Sequence, residues 1–195
     1  RDAVPRQVMP VLPGEARRSA FAETALGFSP EAAVAEANRC ILCKQPRCAQ
    51  VGCPLHNRIP EWIALIQQGK FLEAAKLTRE TSSMPEICSR VCPQEKLCEG
   101  SCALGIKQEP VAIGALERFV NDLAREAGDI PLEVGAPSGR SVAIVGAGPA
   151  GMAAAERLRW WGHDVVMYDA LPKPGGLLRY GLPGFKISPE VVKQR

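Results

Sequence analysis

Cysteine is missing from both ends of this 195-residue chain: none of the eight lies before Cys40 or after Cys102. Histidine is scarce too, and His56 is the only one near them. No apolar run reaches the length of a membrane span; the longest, residues 142–155, is broken by Gly146, Gly148, Pro149 and Gly151. The first ten residues, RDAVPRQVMP, contain no apolar signal-peptide core and no initiator methionine. That start predicts a reducing, cytoplasmic setting, where clustered cysteines bind metal more often than they form disulfides. Charge of one sign is also lacking. A formal net charge of +3, dispersed along the chain, gives no footprint for nucleic acid, and the same reading expects no membrane partner. What remains, 46% hydrophobic and 23% charged residues, is ordinary for a globular protein of one large or two small domains.

The cysteines fall into two groups. The first reads C-x2-C-x4-C-x4-C-P over Cys40, Cys43, Cys48 and Cys53. The second reads C-x3-C-P-x4-C-x3-C over Cys88, Cys92, Cys98 and Cys102. Structural zinc pairs one C-x2-C with another or with histidines, and here a single C-x2-C stands beside a single histidine. Iron–sulfur ligation accepts uneven spacing and takes a remote ligand beside a Cys-Pro, which occurs twice, at Cys53-Pro54 and Cys92-Pro93. Iron–sulfur clusters are therefore the expectation, with zinc and free or paired thiols as the alternatives. His56 reads as a surface residue, or one that supports the ligands from outside, rather than a ligand.

Around these groups the pattern is helical. Residues 1–14, with Pro5, Pro10, Pro13 and Gly14, predict an extended arm. Glu15 to Leu26 predicts a short helix with Arg17, Arg18 and Glu23 outward and Ala20, Phe21 and Leu26 packed. Ser29-Pro30-Glu31 is a helix start, combining a cap, a first-turn proline and an acid at the positive end of the dipole. Pro60 opens another helix with Trp62, Leu65 and Ile66 on one face, stopped by Gly69. A further helix carries Phe71, Ala74, Ala75 and Thr78. From about Val111 to Ala127 the stripe Ile113, Leu116, Val120, Ala124 includes Glu117. A carboxylate on a buried face needs a partner, either a positive metal centre or a basic residue such as Lys107.

The last third changes character. AGDIPLEVGAPSGR reads as an exposed linker. SVAIVGAGPAG then gives a strand over Val142–Val145, the glycines Gly146, Gly148 and Gly151, and a helix from Pro149 and Ala150 to Trp161. A second strand, Asp164–Tyr168, ends at Asp169. In this setting G-x-G-x-x-G is a dinucleotide fingerprint: turn, close approach to pyrophosphate, helix–strand packing, and an acid for the ribose. It does not separate FAD from NAD. Trp160 and Trp161 read as packed and partly exposed.

The segments CILCKQPRC, GCPLHNRIPEW, MPEICSRVCPQEKLCEGSC and EPVAIGALERFVND resemble the N-terminal iron–sulfur domain of the small subunit of bacterial NADPH-dependent glutamate synthase. The same domain family includes dihydropyrimidine dehydrogenase and the large subunit of ferredoxin:NADP oxidoreductase. The resemblance implies a mainly α-helical iron–sulfur domain followed by an incomplete α/β Rossmann-type FAD-binding domain. Its expected divisions are an arm over 1–28, a helical domain over 29–130, a linker over 131–140 and the start of the flavin domain over 141–195. It implies two [4Fe-4S] clusters. Cys40, Cys43, Cys48 and Cys102 would hold one; Cys53, Cys92, Cys98 and the carboxylate of Glu117 the other, leaving Cys88 spare. The stretch KPGGLLRYGLPGFK resembles the family's loop near the flavin, which adds Gly175, Gly176 and Leu177 to the FAD-binding candidates. The implied activity passes electrons from NADPH through FAD and the clusters to a large glutamate synthase subunit or another acceptor. The NADPH site would lie outside this chain, which alone would not oxidise NADPH, and no side chain would act as an acid or base catalyst. Another flavin–iron–sulfur reductase and a zinc-stabilised interaction module are the rival readings.

Overall fold

The structure, a computed structural model, describes residues 4–128 and 134–194. After an extended arm come the helices α1 (Gly14–Ser19) and α2 (Pro30–Ala37), then α3 (Ile59–Gln67), α4 (Phe71–Arg79), α5 (Pro85–Val91) and α6 (Ile113–Glu126). A small α/β unit follows: β1 (Ser141–Val145), α7 (Pro149–Trp160), β2 (Asp164–Tyr168), α8 (Leu177–Tyr180) and α9 (Pro189–Lys193). The fold class is as the sequence implies, helical first and Rossmann-like second.

Local chemistry sets the boundaries. The Ser29 hydroxyl accepts from the Ala32 amide, so α2 begins where the capping signal stands. Prolines open α3, α5, α7 and α9 in their first turns. Gly69, at φ +73°, turns the chain between α3 and α4, which pack as a hairpin. The first core joins Trp62, Ile63 and Ile66 of α3 to Ala74 and Ala75 of α4 and to Leu116, Val120 and Ala124 of α6. Phe71 meets Phe119 edge-on at 5.0 Å. The Trp62 indole donates to Asn57 Oδ1, which makes it a core residue with a satisfied polar tip.

β1 and β2 run parallel with Ser141 opposite Asp164 and Val145 opposite Tyr168, joined through α7 as a βαβ unit. A second core spans both halves. Met84 and Ile87 of the helical part pack with Leu178, Ile187, Val191 and Val192 of the α/β part.

Four expectations are corrected. Helix α1 stops at Ser19, so only residues 15–19 of the segment 15–26 are helical, because from Ala20 onward the chain extends and Val11 pairs with Ala25 in an antiparallel bridge. Ala20, Phe21 and Leu26 are exposed rather than packed, with Phe21 lying 6.4 Å from Phe185. Glu23 points inward, where Arg90 (2.7 Å) and Arg118 (3.0 Å) hold it. The stretch 173–186, read as a loop, contains α8. Within the expected linker, residues 129–133 lie outside the described residues. Residues 134–140 are mostly exposed but anchored: the Gly135 amide donates to Arg159 O and the Ser138 amide to Gly162 O. Among the described residues no helix is long and apolar enough to cross a membrane.

Candidate metal centres and dinucleotide site

Cys40 follows α2, Cys43 lies three residues on, Cys48 begins a single π-helical turn (Cys48–Gly52), and Cys102 precedes a short 3-10 turn (Ala103–Ile106). All four line one cavity, with Ile41, Ile59, Pro60, Ile63, Leu104, Val111 and Ile113 among its apolar walls and Arg47 as its one charged neighbour among the described residues. The cavity draws together residues more than sixty positions apart in sequence. Burial raises the Cys48 thiol to about 12, with Cys102, Cys40 and Cys43 adding to it. Cys40 is raised by burial as well, opposed by the Leu42 amide, which points at its sulfur. Leu42 sits at φ +49°, an uncommon conformation for a side chain branched beyond Cβ, and it bends the Cys40–Cys43 loop.

A second set gathers around Cys92. Cys53 ends the π turn, its amide donating to Cys48 O at 2.9 Å. Cys92 ends α5, and the Cys88 thiol donates to it, lowering Cys92 and raising Cys88. Cys53, Cys98 and Glu117 all act electrostatically on Cys92. Cys98 is raised by burial and then by Glu99, Glu117 and Cys53. Gly52 makes this approach possible: a Cβ there would stand 2.6 Å from Leu97 O and 2.8 Å from Cys98 Cα. Burial drives the Glu117 carboxyl well above the usual range, with Cys88 and Glu86 pushing the same way. Glu117 as a whole residue is only half-buried, yet its carboxyl group is enclosed; the perturbation belongs to the carboxyl. No ion pair joins Glu117 to Lys107 among the described residues.

The sulfurs do not converge on a point. Among the described residues no group of three or more His, Cys, Asp or Glu is placed to hold a single metal ion. A zinc ion needs its donors within about 2.3 Å of one centre, whereas a multi-atom cluster spreads them around itself. His56 stays apart, exposed, with its Nδ1 3.3 Å from Ala49 O.

In the α/β unit Gly146 turns at φ +103° after β1. No side chain caps α7, so its first amides face the space beside Gly148. A Cβ on Gly151 would collide with Gly146 O and lie 3.3 Å from Ile144 Cγ2, so only glycine lets helix and strand approach this closely. Asp169 accepts from the amides of Leu171 and Ala147, at 2.8 and 2.6 Å, which lowers its carboxyl. Gly175 donates to Ala147 O at 2.8 Å, and Gly176, at φ +47°, lies against Gly148. The second glycine pair thus joins the Gly-rich turn. Leu177 opens α8 and is exposed, as are Trp160 and Trp161; Arg157 lies 4.2 Å over the Trp160 ring.

Comparison with known families separates the two halves in the same place. Residues 17–129 match the family described as dihydropyrimidine dehydrogenase domain II, 4Fe-4S cluster. The chain belongs to that iron–sulfur family. Residues 144–186 match the NAD(P)-binding Rossmann-like domain. Among curated proteins the chain is 45% identical over 94% of its length to the glutamate synthase [NADPH] small chain of Azospirillum brasilense, covering 38% of that protein. It is 45% identical over 95% of its length to the Escherichia coli small chain, covering 39% of it. To the NAD-dependent dihydropyrimidine dehydrogenase subunit PreT of Salmonella typhimurium it is 38% identical over 86% of its length, covering 40% of it. The chain thus spans about two-fifths of each of these three relatives, and the resemblance to the glutamate synthase small chain stands. An iron–sulfur centre and a flavin or nicotinamide dinucleotide are the cofactor classes of these two domains.

Sequence reasoning missed the polar residues that hold the cysteine segments in place. Glu36 is fully buried; its carboxylate accepts from Arg39 (2.8 Å), the Ala112 amide (2.7 Å) and the Gln7 amide (2.7 Å). Arg39 also donates to the carbonyls of Val4, Glu109 and Pro110. Together they lock the arm, the residue before Cys40 and the entry to α6. Glu99, beside Cys98, accepts from Arg6 and from the Gly114 amide. Arg90, near Cys92, chelates Asp122 at 2.9 and 2.7 Å.

Proposed function

We propose that this chain is the N-terminal electron-transfer part of an NADPH-dependent oxidoreductase like the glutamate synthase small chain. Cys40, Cys43, Cys48 and Cys102 hold one [4Fe-4S] cluster. Cys53, Cys92, Cys98 and Glu117 hold a second. FAD lies on Gly146, Gly148, Pro149, Ala150 and Gly151, with Asp169 at the ribose and Gly175, Gly176 and Leu177 beside the flavin. When bound, the flavin accepts hydride and the clusters carry single electrons. The acceptor is a large glutamate synthase-type subunit, and the setting is cytoplasmic. The divisions are those of the sequence: arm to 28, iron–sulfur domain to 130, linker to 140, then the flavin domain.

The observation that carries this reading is the return of Cys102 to the cavity of Cys40, Cys43 and Cys48, with Glu117 beside Cys92 and Cys98. Eight cysteines split four and four by sequence would not interleave in this way. The donor chemistry fits. Thiols raised by burial, in a cavity with almost no charge of its own, suit a centre that supplies positive charge. The amides of Leu42, Ala49 and Glu99 turn toward Cys40, Cys48 and Cys98, where they would steady the thiolates. In the α/β unit the bare α7 N-terminus and the Gly148–Gly176 approach suit a pyrophosphate. The chain's residues therefore bind, orient and exclude water; none serves as an acid or base.

The test is the iron, sulfide and zinc content of anaerobically prepared protein carrying Cys88→Ala or Glu117→Ala. C88A should keep about eight iron and eight sulfide, and E117A should lose about half of them or change that cluster's spectrum. Loss of a cluster in C88A with none in E117A would reverse the assignment. Zinc without sulfide in the unsubstituted protein would replace the whole reading with a structural module.

A further inference from the structure

The two cysteine groups stand at unequal distances from the α/β unit. Cys88 and Cys92 belong to α5 and its end, and α5 packs on α9; its neighbours Met84, Ile87 and Val91 share a core with Leu178, Ile187, Val191 and Val192. Among the described residues, the cavity of Cys40, Cys43, Cys48 and Cys102 is lined by none of that unit. The rim of this cavity is exposed and apolar. Ile41 and Leu42, between two of its cysteines, are 58% and 41% exposed. Ile106, at the end of the turn whose Ala103 and Leu104 line the cavity, is 81% exposed. Exposed apolar side chains clustered at a polar rim mark contact surfaces rather than chance.

The charge around that rim is predominantly basic. Residues 40–60 contain Lys44, Arg47 and Arg58 and no Asp or Glu; residues 102–108 add Lys107, and the exposed Glu109 follows two positions on. Arg58 is neutralised by Glu61 and Glu80. Lys44, Arg47 and Lys107 form no ion pair among the described residues, and with Glu109 as the acid beside them the rim keeps a net positive charge. A low-lying apolar centre inside a basic rim attracts an acidic partner during encounter and seats it on contact.

We propose that the face formed by Ile41, Leu42, Lys44, Arg47, Ile106 and Lys107 is the port through which electrons leave this protein, and that it selects a redox protein whose contact surface is apolar at its centre and acidic at its edge. This rests on the proposed function above, and it adds where the acceptor binds and what its surface must look like. One electron crosses the face at a time, and the acceptor is reduced by one electron.

The test uses the protein encoded by its whole gene, loaded anaerobically, reduced with dithionite and mixed with small acceptors of opposite charge. Ferricyanide and hexaammineruthenium(III) each take one electron. In the double variant K44E/K107E, with iron content unchanged, the ferricyanide rate at low ionic strength should fall about fivefold and the hexaammineruthenium rate should rise, since both substitutions reverse charges within one screening length of the port. K44Q/K107Q should lie between, and about 1 M salt should erase the differences. Equal rates in all variants, or a larger effect from the control R179E/K193E on the α/β unit, would overturn the assignment. Electron delivery to the large glutamate synthase chain gives a separate arm. If the unsubstituted protein reduces that chain and K44E/K107E does so equally well, the port is wrong. If the unsubstituted protein does not reduce it at all, the proposed acceptor is wrong, and the two small ions still decide the port.

Discussion

Gly52 offers the sharpest perturbation, because it touches one cysteine group and spares the other. It is buried at the end of the π turn, next to Cys53, and its backbone is not in the left-handed region, so alanine meets no conformational penalty there. The obstacle is contact: an added Cβ would stand 2.6 Å from Leu97 O, 2.8 Å from Cys98 Cα and 2.9 Å from Leu97 C. These are backbone atoms and cannot swing away, so the segment carrying Cys98 must move from the segment carrying Cys53. Overpacking of this kind costs about 1–3 kcal/mol. The strain falls between the segments that carry Cys53 and Cys98, which must face one another in the loaded protein. Converted at about 1.4 kcal/mol per factor of ten, retention of that cluster weakens by roughly 5- to 150-fold. Gly52→Ala should therefore lower iron and sulfide toward half on mild chelation while the centre at Cys40, Cys43, Cys48 and Cys102 keeps its spectrum. Gly14→Ala, with nothing within 4 Å of the new atom, is the control and should change neither. A G52A protein that resists chelator as well as the unsubstituted one would refute the claim that Cys53 and Cys98 serve the same centre.

Two further outcomes follow from single contacts. Glu36→Ala leaves Arg39, whose side chain is 3% exposed, without its countercharge and orphans the amides of Gln7 and Ala112; the helical unit should lose about 3–5 kcal/mol, read as a lower urea midpoint of its far-ultraviolet dichroism. An unchanged midpoint would mean that the arm and the α6 entry are held elsewhere. Gly151→Ala drives a Cβ into Gly146 O and should release the dinucleotide without loss of iron, so the flavin-to-iron ratio of purified protein falls. A normal ratio would remove the Gly-rich turn from the binding site.

Much of the fold was legible because short-range signals coincide with long-range needs. Ser29 and Pro30 start α2 whatever it packs against, and Gly69 stops α3 by its own conformational freedom. The stripe of Ile113, Leu116, Val120 and Ala124 predicts both a helix and its buried face. The segment around Glu23 was not legible, since its structure depends on partners far away. Apolar spacing favoured a helix through Phe21 and Leu26. The structure instead extends the chain so that Glu23 can reach Arg90 and Arg118, which leaves those apolar side chains outside. An ion pair made 67 positions away leaves no periodic trace in the local sequence.

The same distinction runs through the site. Gly146, Gly151 and Asp169 could be placed because a dinucleotide turn is a local object whose spacing follows from its geometry. The cysteines are a different case, since spacing marks them as candidate ligands without saying which belong together. Cys48 and Cys53 are five positions apart and joined by a backbone hydrogen bond, yet they face different groups: Cys48 shares the cavity of Cys40, and Cys53 acts on Cys92 and Cys98. The π turn between them, one residue wider than an α-turn, carries the chain from one group to the other. The polar frame around them is the part hardest to foresee. Glu36, Arg39, Glu99 and Arg90 look like surface charges when read alone, and each is buried beside a cysteine segment. Burying them is costly, and the cost is recovered only because Glu36, Arg39 and Glu99 meet backbone groups, and Arg90 the carboxylates of Glu23 and Asp122, from segments that must end up adjacent. A hydrophobic residue at these positions could fill the space but could not specify which loop meets which. The charges therefore fix the register of the loops that deliver the cysteines.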